Sequence, residues 1–389
     1  MSNNRFCNQW LGSCAGSGAR AFHLDTNPYT PDYFKAFAPL ANELDFIRVN
    51  AEGTIDVRYM AKIGDESLFL GSREPVSAKN SASDPEALTK VQAAVIDDQR
   101  FHQSIVNTGS ATSFRAHTTR VEMDIDGNDL DLDYIKKHIT ITDVILSSKR
   151  DAVDNLYRIE QIIHKLKTIH HVNAVRLRSL KFNYSPQSYS RSAIDRLRNL
   201  NRLTVVNPLR LEIETQFLHV SEIHPDHATL ASALRNRGIT VYNNTPLLTG
   251  INDTPDEVNQ IAYKLREAGV EFHHVYVAGL PIQNTWNDEH TIDVSDVIDI
   301  ATRVRREGSG REIPRYIIPT ELGEADFGMT SKLIRGNGKL RVRLASYDLA
   351  YYQAMELEFA WPGGVETDTD GKPIIAVSGL QSSSDFLIY

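Results

Sequence analysis

Between residues 102 and 320, short runs rich in β-branched and apolar residues alternate with longer segments whose apolar residues recur at helical spacing. The short runs predict strands and the longer segments predict amphipathic helices. Repetition of strand and helix is typical of βα units and a parallel sheet. We therefore predict an α/β fold, a partial (β/α)6-type TIM-like barrel. The predicted strands are HQSIVNT, TDVILSS, VNAVRLR, RLEIETQ, GITVYNN, EFHHVYV and EIPRYII, and the predicted helices are AVDNLYRIEQIIHKLKTI, HPDHATLASALRNRG, TPDEVNQIAYKLREAG and VSDVIDIATRVRREG.

Two of the predicted strands alternate polar with apolar residues, although parallel strands covered by helices are normally apolar throughout. The polar residues that share a face at a two-residue period are Arg176 and Arg178 in one strand and Arg210, Glu212, Glu214 and Gln216 in the other. If the apolar face packs on helices, the charged face lines the interior of the barrel. The pattern then predicts a wet lumen able to hold a ligand, or a lattice of ion pairs that fills it, and the two are compatible.

The barrel pattern, assigned to residues 101–320, is flanked by regions of different character. Residues 1–100 predict a mostly helical or irregular N-terminal region. Residues 321–389 predict a C-terminal extension with a β-hairpin, because Asp370 and Gly371 form a strong turn signal between two short β-rich runs. We interpret this extension as an appendage on the barrel.

The segment at residues 121–139 is rich in aspartate, which raises the question of a calcium site. Its spacing does not match an EF-hand loop, which requires acidic residues at fixed positions, a central glycine and a final glutamate. We interpret it as an acidic turn leading into a helix that begins near Asp131 or Asp133.

The composition excludes several classes of partner. The chain has 389 residues, a net charge of −8 and 41% hydrophobic residues, which is ordinary for a globular protein. We expect neither nucleic acid nor membrane partners, because the charge is negative and no apolar run is long enough to span a bilayer. The two cysteines, Cys7 and Cys14, and the lack of a signal-peptide pattern at the start lead us to expect a cytoplasmic protein.

Four segments resemble segments of a known family. NTPLLTGINDTP at 244–255 is similar to N-Q-S-V-L-L-x-G-I-N-D-x-P, and IHHVNAVRLRS at 169–179 is similar to I-P-H-V-x-x-I-R-I-G-T. DVILSS at 143–148 and VNTGSATSFRAHTTR at 106–120 complete the set. Together they resemble the lysine 2,3-aminomutase branch of the radical S-adenosylmethionine (SAM) enzymes. The resemblance implies a radical SAM type of barrel, and family precedent favours a homo-oligomer.

The resemblance also implies which cofactors to expect. The family binds a [4Fe-4S] cluster through Cys-x3-Cys-x2-Cys, and those positions fall on Ser110, Phe114 and His117. We therefore expect no such cluster and no use of SAM as a radical source. The family's pyridoxal phosphate (PLP) lysine falls near Lys332, for which a plain surface lysine is the alternative.

The family's substrate and cosubstrate residues are also replaced. Its Gly-Gly-Asp turn stands here as Ser148, Lys149 and Arg150, a strand glycine becomes Arg178, and a substrate-binding aspartate becomes Gly279. The cationic residues predicted at the carboxyl-terminal mouth of the barrel are Arg115, Arg120, Lys149, Arg150 and Arg178. They favour a small anionic metabolite as the ligand, and internal pairing with Glu212, Glu214 and Asp151 is the alternative.

The candidate acid–base residues are His117, Glu214 and His219, and no metal site is predicted. His273 and His274 align with paired tyrosines of the family, which favours a packing role. The first hypothesis is a cluster-free biosynthetic enzyme, a lyase, isomerase or transferase, that uses non-radical acid–base chemistry on a small anionic or amino-acid-like metabolite. The second is a pseudoenzyme that binds a metabolite or a protein without turnover. The third is a PLP-dependent amino-acid enzyme without a cluster.

Overall fold

The computed structural model describes residues 106–383, apart from gaps at 116, 128–131, 149–150, 185, 205–207, 224, 250, 288–290, 329–330 and 337–338. It also describes three short strands nearer the N-terminus. These strands, β1 Ala21–His23, β2 Arg48–Val49 and β3 Thr54–Asp56, form an antiparallel sheet in the order β1, β3, β2. The rest of the predicted N-terminal region, including Cys7 and Cys14, lies outside the described residues.

A nine-stranded sheet organises the described part of the chain. The next strands are β4 Ser113–Phe114, β5 Arg120–Asp124, β6 Asp143–Ser147, β7 Ala174–Arg178, β8 Arg210–Thr215, β9 Thr240–Pro246, β10 Glu271–Tyr276, β11 Ile292–Asp293, β12 Arg315–Thr320 and β13 Gly323–Asp326. All except β11 belong to the sheet, in the order β13, β12, β10, β9, β8, β7, β6, β5, β4. β5 to β10 and β12 run parallel, whereas the edge strands β4 and β13 are antiparallel to their neighbours. This curled, largely parallel sheet confirms the predicted partial barrel.

Helices follow most of the parallel strands. They are α1 Asp133–Lys137, α2 Leu156–Leu166, α3 Lys181–Tyr184, α4 Arg191–Leu200, α5 Pro225–Arg235, α6 Pro255–Ala268, α7 Pro281–Trp286, α8 Val294–Glu307 and α9 Leu349–Gln353. α6 shows how the sequence sets the ends of a helix. The Thr254 side chain accepts a hydrogen bond from the Glu257 amide, Pro255 occupies the first helical position, and Gly269 ends the helix in the left-handed region at a φ of 77°. All four predicted helices are confirmed.

The apolar core lies between the sheet and the helices. On β8, Leu211 and Ile213 are fully buried, whereas Glu212 and Glu214 alternate with them and face the lumen. On α6, Val258 and Ile261 are fully buried at helical spacing. The two-residue period of the strand therefore separates core from lumen, which confirms the predicted polar interior.

The first parallel strand differs from the prediction. β5 lies at the start of the segment that we interpreted as an acidic turn, while the strand expected at 102–108 falls mostly outside the described residues. The turn interpretation was wrong for β5, where Val121 and Met123 are fully buried, but a helix does begin at Asp133. Because β4 runs antiparallel to β5, Thr112 lies beside Asp124 at the carboxyl end of β5, whereas residues 117–119 lie at the amino end of the parallel sheet.

The C-terminal extension adds further strands, β14 Ser331–Gly336, β15 Lys339–Leu344, β16 Glu366–Thr367, β17 Pro373–Ala376 and β18 Leu380–Gln381. Four of them form an antiparallel sheet in the order β14, β15, β17, β16, and β18 pairs with β11. The predicted hairpin is confirmed, since β16 pairs with β17 and Gly371 has a φ of 74°. None of the described helices is long and apolar enough to cross a membrane.

Candidate functional site in the barrel lumen

Ion pairs between strands of the sheet line the lumen. Arg178 on β7 forms a two-pronged contact with Glu122 on β5, with N–O distances of 2.6 and 3.2 Å. Its Nε also donates to Glu214 on β8 over 3.3 Å. Arg176, two residues earlier on the same face, contacts Glu212 at 3.4 Å and Glu214 at 3.3 Å. The predicted lattice of ion pairs is therefore present, and Glu214 is shared by both guanidinium groups.

Arg120 on β5 and Glu324 on β13 form a further ion pair at 2.9 Å, which links two strands far apart in the sheet order. Burial by itself would raise the pKa of Glu324, but the Arg120 guanidinium outweighs it and the pKa falls to about 2. Glu324 is thus ionised at neutral pH. We call this pair the Arg120–Glu324 clasp, because it holds the curled sheet together across the lumen.

His273 and His274 on β10 form a stacked pair in the lumen. Adjacent residues of a strand normally face opposite ways, but the pairing of β10 with β9 shifts register between Phe272 and His274, and the two rings stack with centroids 3.7 Å apart. Nδ1 of His273 and both ring nitrogens of His274 are buried and have no hydrogen-bond partner among the described residues.

Burial determines the protonation of this histidine pair. It lowers the pKa of His273 to about 4, assisted by the cation Arg176, and lowers the pKa of His274 to about 3, assisted by His273. Both imidazoles are therefore neutral at pH 7, and each presents one nitrogen that can accept a hydrogen bond.

Two cavities meet in the lumen. The upper cavity, at the carboxyl ends of the strands, has a volume of about 90 Å³ and is lined by Arg178, Glu214, Thr215 and Asn244 among others. The lower cavity, at the amino ends, has a volume of about 420 Å³. The residues that line both are Arg120, Ile145, Arg176, His274 and Glu324. The clasp and His274 thus form a partition between the two spaces.

The structure does not place the predicted cationic residues together. Arg178 lies in the lumen, and Arg120 lies in the partition. The prediction that Arg115 lies at the mouth was wrong, because Arg115 precedes β5 at the amino end. There it is 1% exposed, and it donates to Tyr134 Oη at 3.1 Å and to the Thr118 carbonyl at 2.6 Å. Lys149 and Arg150 lie outside the described residues.

The three acid–base candidates do not share one site. Glu214 lines the upper cavity and His117 lines the lower one, where burial lowers the pKa of His117. His219 follows the carboxyl end of β8 at the start of a 3-10 turn, and its amide donates to the Glu222 carboxylate at 3.4 Å. No group of three or more histidine, cysteine or acidic residues suited to a metal occurs in the described part of the chain.

The residues that the resemblance aligns with the family's cluster cysteines, Ser110, Phe114 and His117, do not suit a [4Fe-4S] centre. The Ser110 hydroxyl is 3.1 Å from Thr112 Oγ1, Phe114 lines the upper cavity and His117 lines the lower one. A hydroxyl, a phenyl ring and an imidazole cannot replace three thiolates. At Ser148, which the resemblance aligns with the first glycine of the family's Gly-Gly-Asp turn, the hydroxyl donates to Asp126 Oδ1 at 2.5 Å, so a side chain occupies a position where glycine would leave space.

Lys332 does not suit a PLP lysine of the lumen. It is exposed on β14, where it lies opposite Arg343 of β15 in the strand pairing, and it lines neither of the two cavities described above.

Asp151, predicted to pair with the cations, accepts hydrogen bonds from the Val153 and Lys181 amides and from the Ser179 hydroxyl.

The sequence prediction missed four lumen groups. Glu122 and Glu324 were not recognised, because β5 and β13 were not predicted as strands. His273 and His274 were assigned to packing, which their stacking fits, but their ring nitrogens also face the cavities. The adjacent histidines in EFHHVY were a signal, but nothing in that run indicates the register shift that turns both toward the lumen.

The fold and the lumen define a class: a curled, mostly parallel α/β half-barrel with a charged interior. No known family profile matches the chain. It is 30% identical over 187 residues to an Aquifex aeolicus protein provisionally named L-lysine 2,3-aminomutase, covering 48% of each chain. It is 26% identical over 227 residues to the L-lysine 2,3-aminomutase of Fusobacterium nucleatum, covering 58% of this chain and 51% of that one.

A third relative, the glutamate 2,3-aminomutase of Clostridioides difficile, is 25% identical over 221 residues, covering 56% of this chain and 49% of that one. The chain is thus a relative of the lysine 2,3-aminomutases, as the sequence motifs indicated. It spans about half the length of these curated relatives.

Proposed function

We propose that this protein is an enzyme that binds the head group of an amino-acid-like metabolite in the upper cavity and acts on it by non-radical acid–base chemistry. The observation that carries the proposal is the set of groups around that cavity. A guanidinium, a carboxylate and two buried polar atoms without partners, Thr215 Oγ1 and Asn244 Oδ1, line the same space of about 90 Å³. Buried polar atoms without a partner are costly, so a bound polar group is expected there.

The charges favour a zwitterion over a plain anion. Arg178 holds Glu122 with a short contact but holds Glu214 only at 3.3 Å, so its Nε edge is the one that a ligand carboxylate can share. Glu214 and Asn244 Oδ1 offer acceptors to an ammonium group. A ligand with one negative charge and no N–H donor would leave Asn244 Oδ1 unpaired and would add a second anion beside Glu214.

The size of the upper cavity fits a head group. At about 30 Å³ per water molecule, 90 Å³ corresponds to about three waters. This is enough for an α-amino and an α-carboxyl group, with the rest of the ligand extending toward the mouth. The mouth is also where ligands bind in barrels of parallel strands.

Glu214 is the proposed proton-transfer residue. Burial would raise its pKa, but Arg178 and Arg176 lower it, so Glu214 is ionised and can accept a proton at neutral pH. Arg178 positions the ligand carboxylate, and the same guanidinium stabilises the Glu214 carboxylate between turnovers.

Isothermal titration with L-lysine and L-glutamate tests the binding step, and n-butyrate and n-butylamine serve as carboxylate-only and amine-only probes. We expect one of the amino acids to bind more tightly than either simple probe, and Arg178→Met to weaken that binding at least tenfold. Arg196→Met is the matched control, because Arg196 pairs with Glu160 at 2.7 Å on the outer surface. Equal affinity of wild type and Arg178→Met would contradict the proposal.

Mass spectrometry of the bound amino acid after incubation tests the chemical step. Turnover is expected in protein free of iron and is expected to fall at least a hundredfold in Glu214→Gln. Turnover that requires added iron, sulfide and SAM would refute the non-radical part.

A second candidate is a binding protein without turnover. It is favoured by the small volume of the upper cavity, about 90 Å³, in whose wall Arg178 and Glu122 are already paired at 2.6 Å. Binding of an amino acid with no change of its mass or isomeric composition would support this alternative.

A further inference from the structure

The lower cavity is a different space from the proposed amino-acid site. Its volume of about 420 Å³ lies in the range of small-molecule sites, about 300–1,000 Å³. It opens at the amino ends of the strands, whereas ligands of barrel folds normally bind at the carboxyl ends. Its wall is completed by the C-terminal extension through Ser346, Tyr347 and Tyr351. The general rule for barrels therefore does not account for a pocket of this size here.

We propose that the lower cavity binds a small organic cation with N–H donors, of the primary alkylammonium class. This inference is independent of the proposed function, because most of the lower wall is absent from the upper cavity. Charge, unpartnered acceptors and aromatic faces support it.

Carboxylates outnumber guanidinium groups in the lower cavity. The acidic residues in its wall are Asp143, Glu212, Glu324 and Asp326, against Arg120, Arg176 and Arg315. Arg120 is committed to Glu324 at 2.9 Å and Arg315 to Asp326 at 2.7 Å. Glu212 is held only by contacts of 3.4 Å to Arg176. Because the stacked histidines are neutral, the wall carries an excess negative charge that a cation would compensate.

The histidine pair supplies acceptors that no described residue satisfies. His274 is 4% exposed and both of its ring nitrogens are unpartnered, as is Nδ1 of His273. Both residues line the lower cavity. A neutral imidazole offers a lone pair to an N–H donor, and an ammonium group carries three such donors. Each neutral ring has one acceptor nitrogen and one N–H, so the acceptor nitrogen of His274 matches a ligand that donates hydrogen bonds.

Two tyrosines of the extension add an aromatic wall. The rings of Tyr347 and Tyr351 lie edge to face, with centroids 5.1 Å apart and planes at 86°. Aromatic faces attract cations, more strongly when the site is shielded from water. An anion would gain nothing from these rings and would be repelled by the nearby carboxylates.

The test uses the purified full chain at pH 7 with 1,5-diaminopentane as the probe and glutarate as the dianion of matched length. Isothermal titration is expected to show binding of the diamine and at least tenfold weaker binding of glutarate. Glutarate that binds as tightly as the diamine would overturn the proposal.

Variants of the two cavities separate this site from the amino-acid site. Asp143→Asn and Glu212→Gln change only the lower wall, and each is expected to weaken diamine binding about five- to tenfold. Glu122→Gln changes only the upper wall and is expected to alter it less than twofold. Diamine binding that is insensitive to both lower variants, or that is lost in Glu122→Gln, would overturn the assignment.

A readout on the unmodified protein keeps the test independent of how the variants fold. The ring resonances of His273 and His274 should shift on titration with diamine in a nuclear magnetic resonance experiment, since the ligand would donate to their free nitrogens. Saturating diamine without a shift of either ring would overturn the proposal, whatever happens at the upper cavity.

Discussion

Replacing His274 with glutamine is expected to make the fold less sensitive to mild acid. In the native protein, burial lowers the pKa of His274 to about 3 and that of His273 to about 4, whereas an unshifted histidine has a pKa of 6.5. Between these values the unfolded chain binds protons that the native protein does not, so the free energy of unfolding decreases as the pH falls.

The size of this effect follows from the pKa of the unfolded state. At pH 5, about 1.5 pH units below that pKa, each histidine costs about 2 kcal/mol, at about 1.4 kcal/mol per unit. The cost of each histidine at pH 5 is nearly the same for any native-state pKa at or below about 4. The pair therefore accounts for about 4 kcal/mol of lost stability between pH 7 and pH 5 in the wild type, and His274→Gln should retain about half of that loss.

Urea unfolding followed by circular dichroism at pH 7, 6 and 5 measures the difference. His164→Gln is the control, because His164 is exposed on α2 and lines neither cavity. His273→Gln is the second variant, should His274→Gln fold poorly. Parallel loss of stability in the wild type and both pair variants would refute the assignment of two buried neutral histidines.

Three further predictions concern the scaffold. Glu324→Gln should lower the free energy of unfolding by about 2 kcal/mol in urea titrations at pH 7, because Arg120 loses its partner in a site between fully exposed and fully buried; a change below about 0.5 kcal/mol would contradict the clasp. Thr254→Ala should cost about 1 kcal/mol through loss of the α6 N-cap, with Thr254→Ser close to wild type in the same assay. Gly279→Ala should reduce the soluble yield and the melting temperature strongly, since its Cβ would lie 2.2 Å from the Pro319 carbonyl oxygen and φ is +107°; normal melting would show that this approach is not tight.

The alternation of polar and apolar residues in β7 and β8 was sufficient to predict a charged lumen. Arg176 and Arg178, and likewise Glu212 and Glu214, fall on one face because side chains of a strand repeat every two residues. Apolar residues at helical spacing likewise predicted the helices, as for the segment TPDEVNQIAYKLREAG that forms α6. Motifs such as NTPLLTGINDTP were also sufficient to indicate the relationship to the aminomutases.

The tertiary structure alone decided what the charges do. Glu122 and Glu324 come from strands that the sequence pattern did not reveal, and they reach Arg178 and Arg120 only because the sheet curls. The register shift beside Phe272 turns both histidines inward, and a shift of this kind depends on the pairing of two strands, not on either strand alone. The placement of Arg115 at the amino end likewise follows from the position of β5, which is the first parallel strand along the chain. Local periodicity depends on residues that are close in sequence. Contacts across the lumen depend on how the whole chain packs, because the partners can lie more than 200 residues apart in sequence, as Arg120 and Glu324 do.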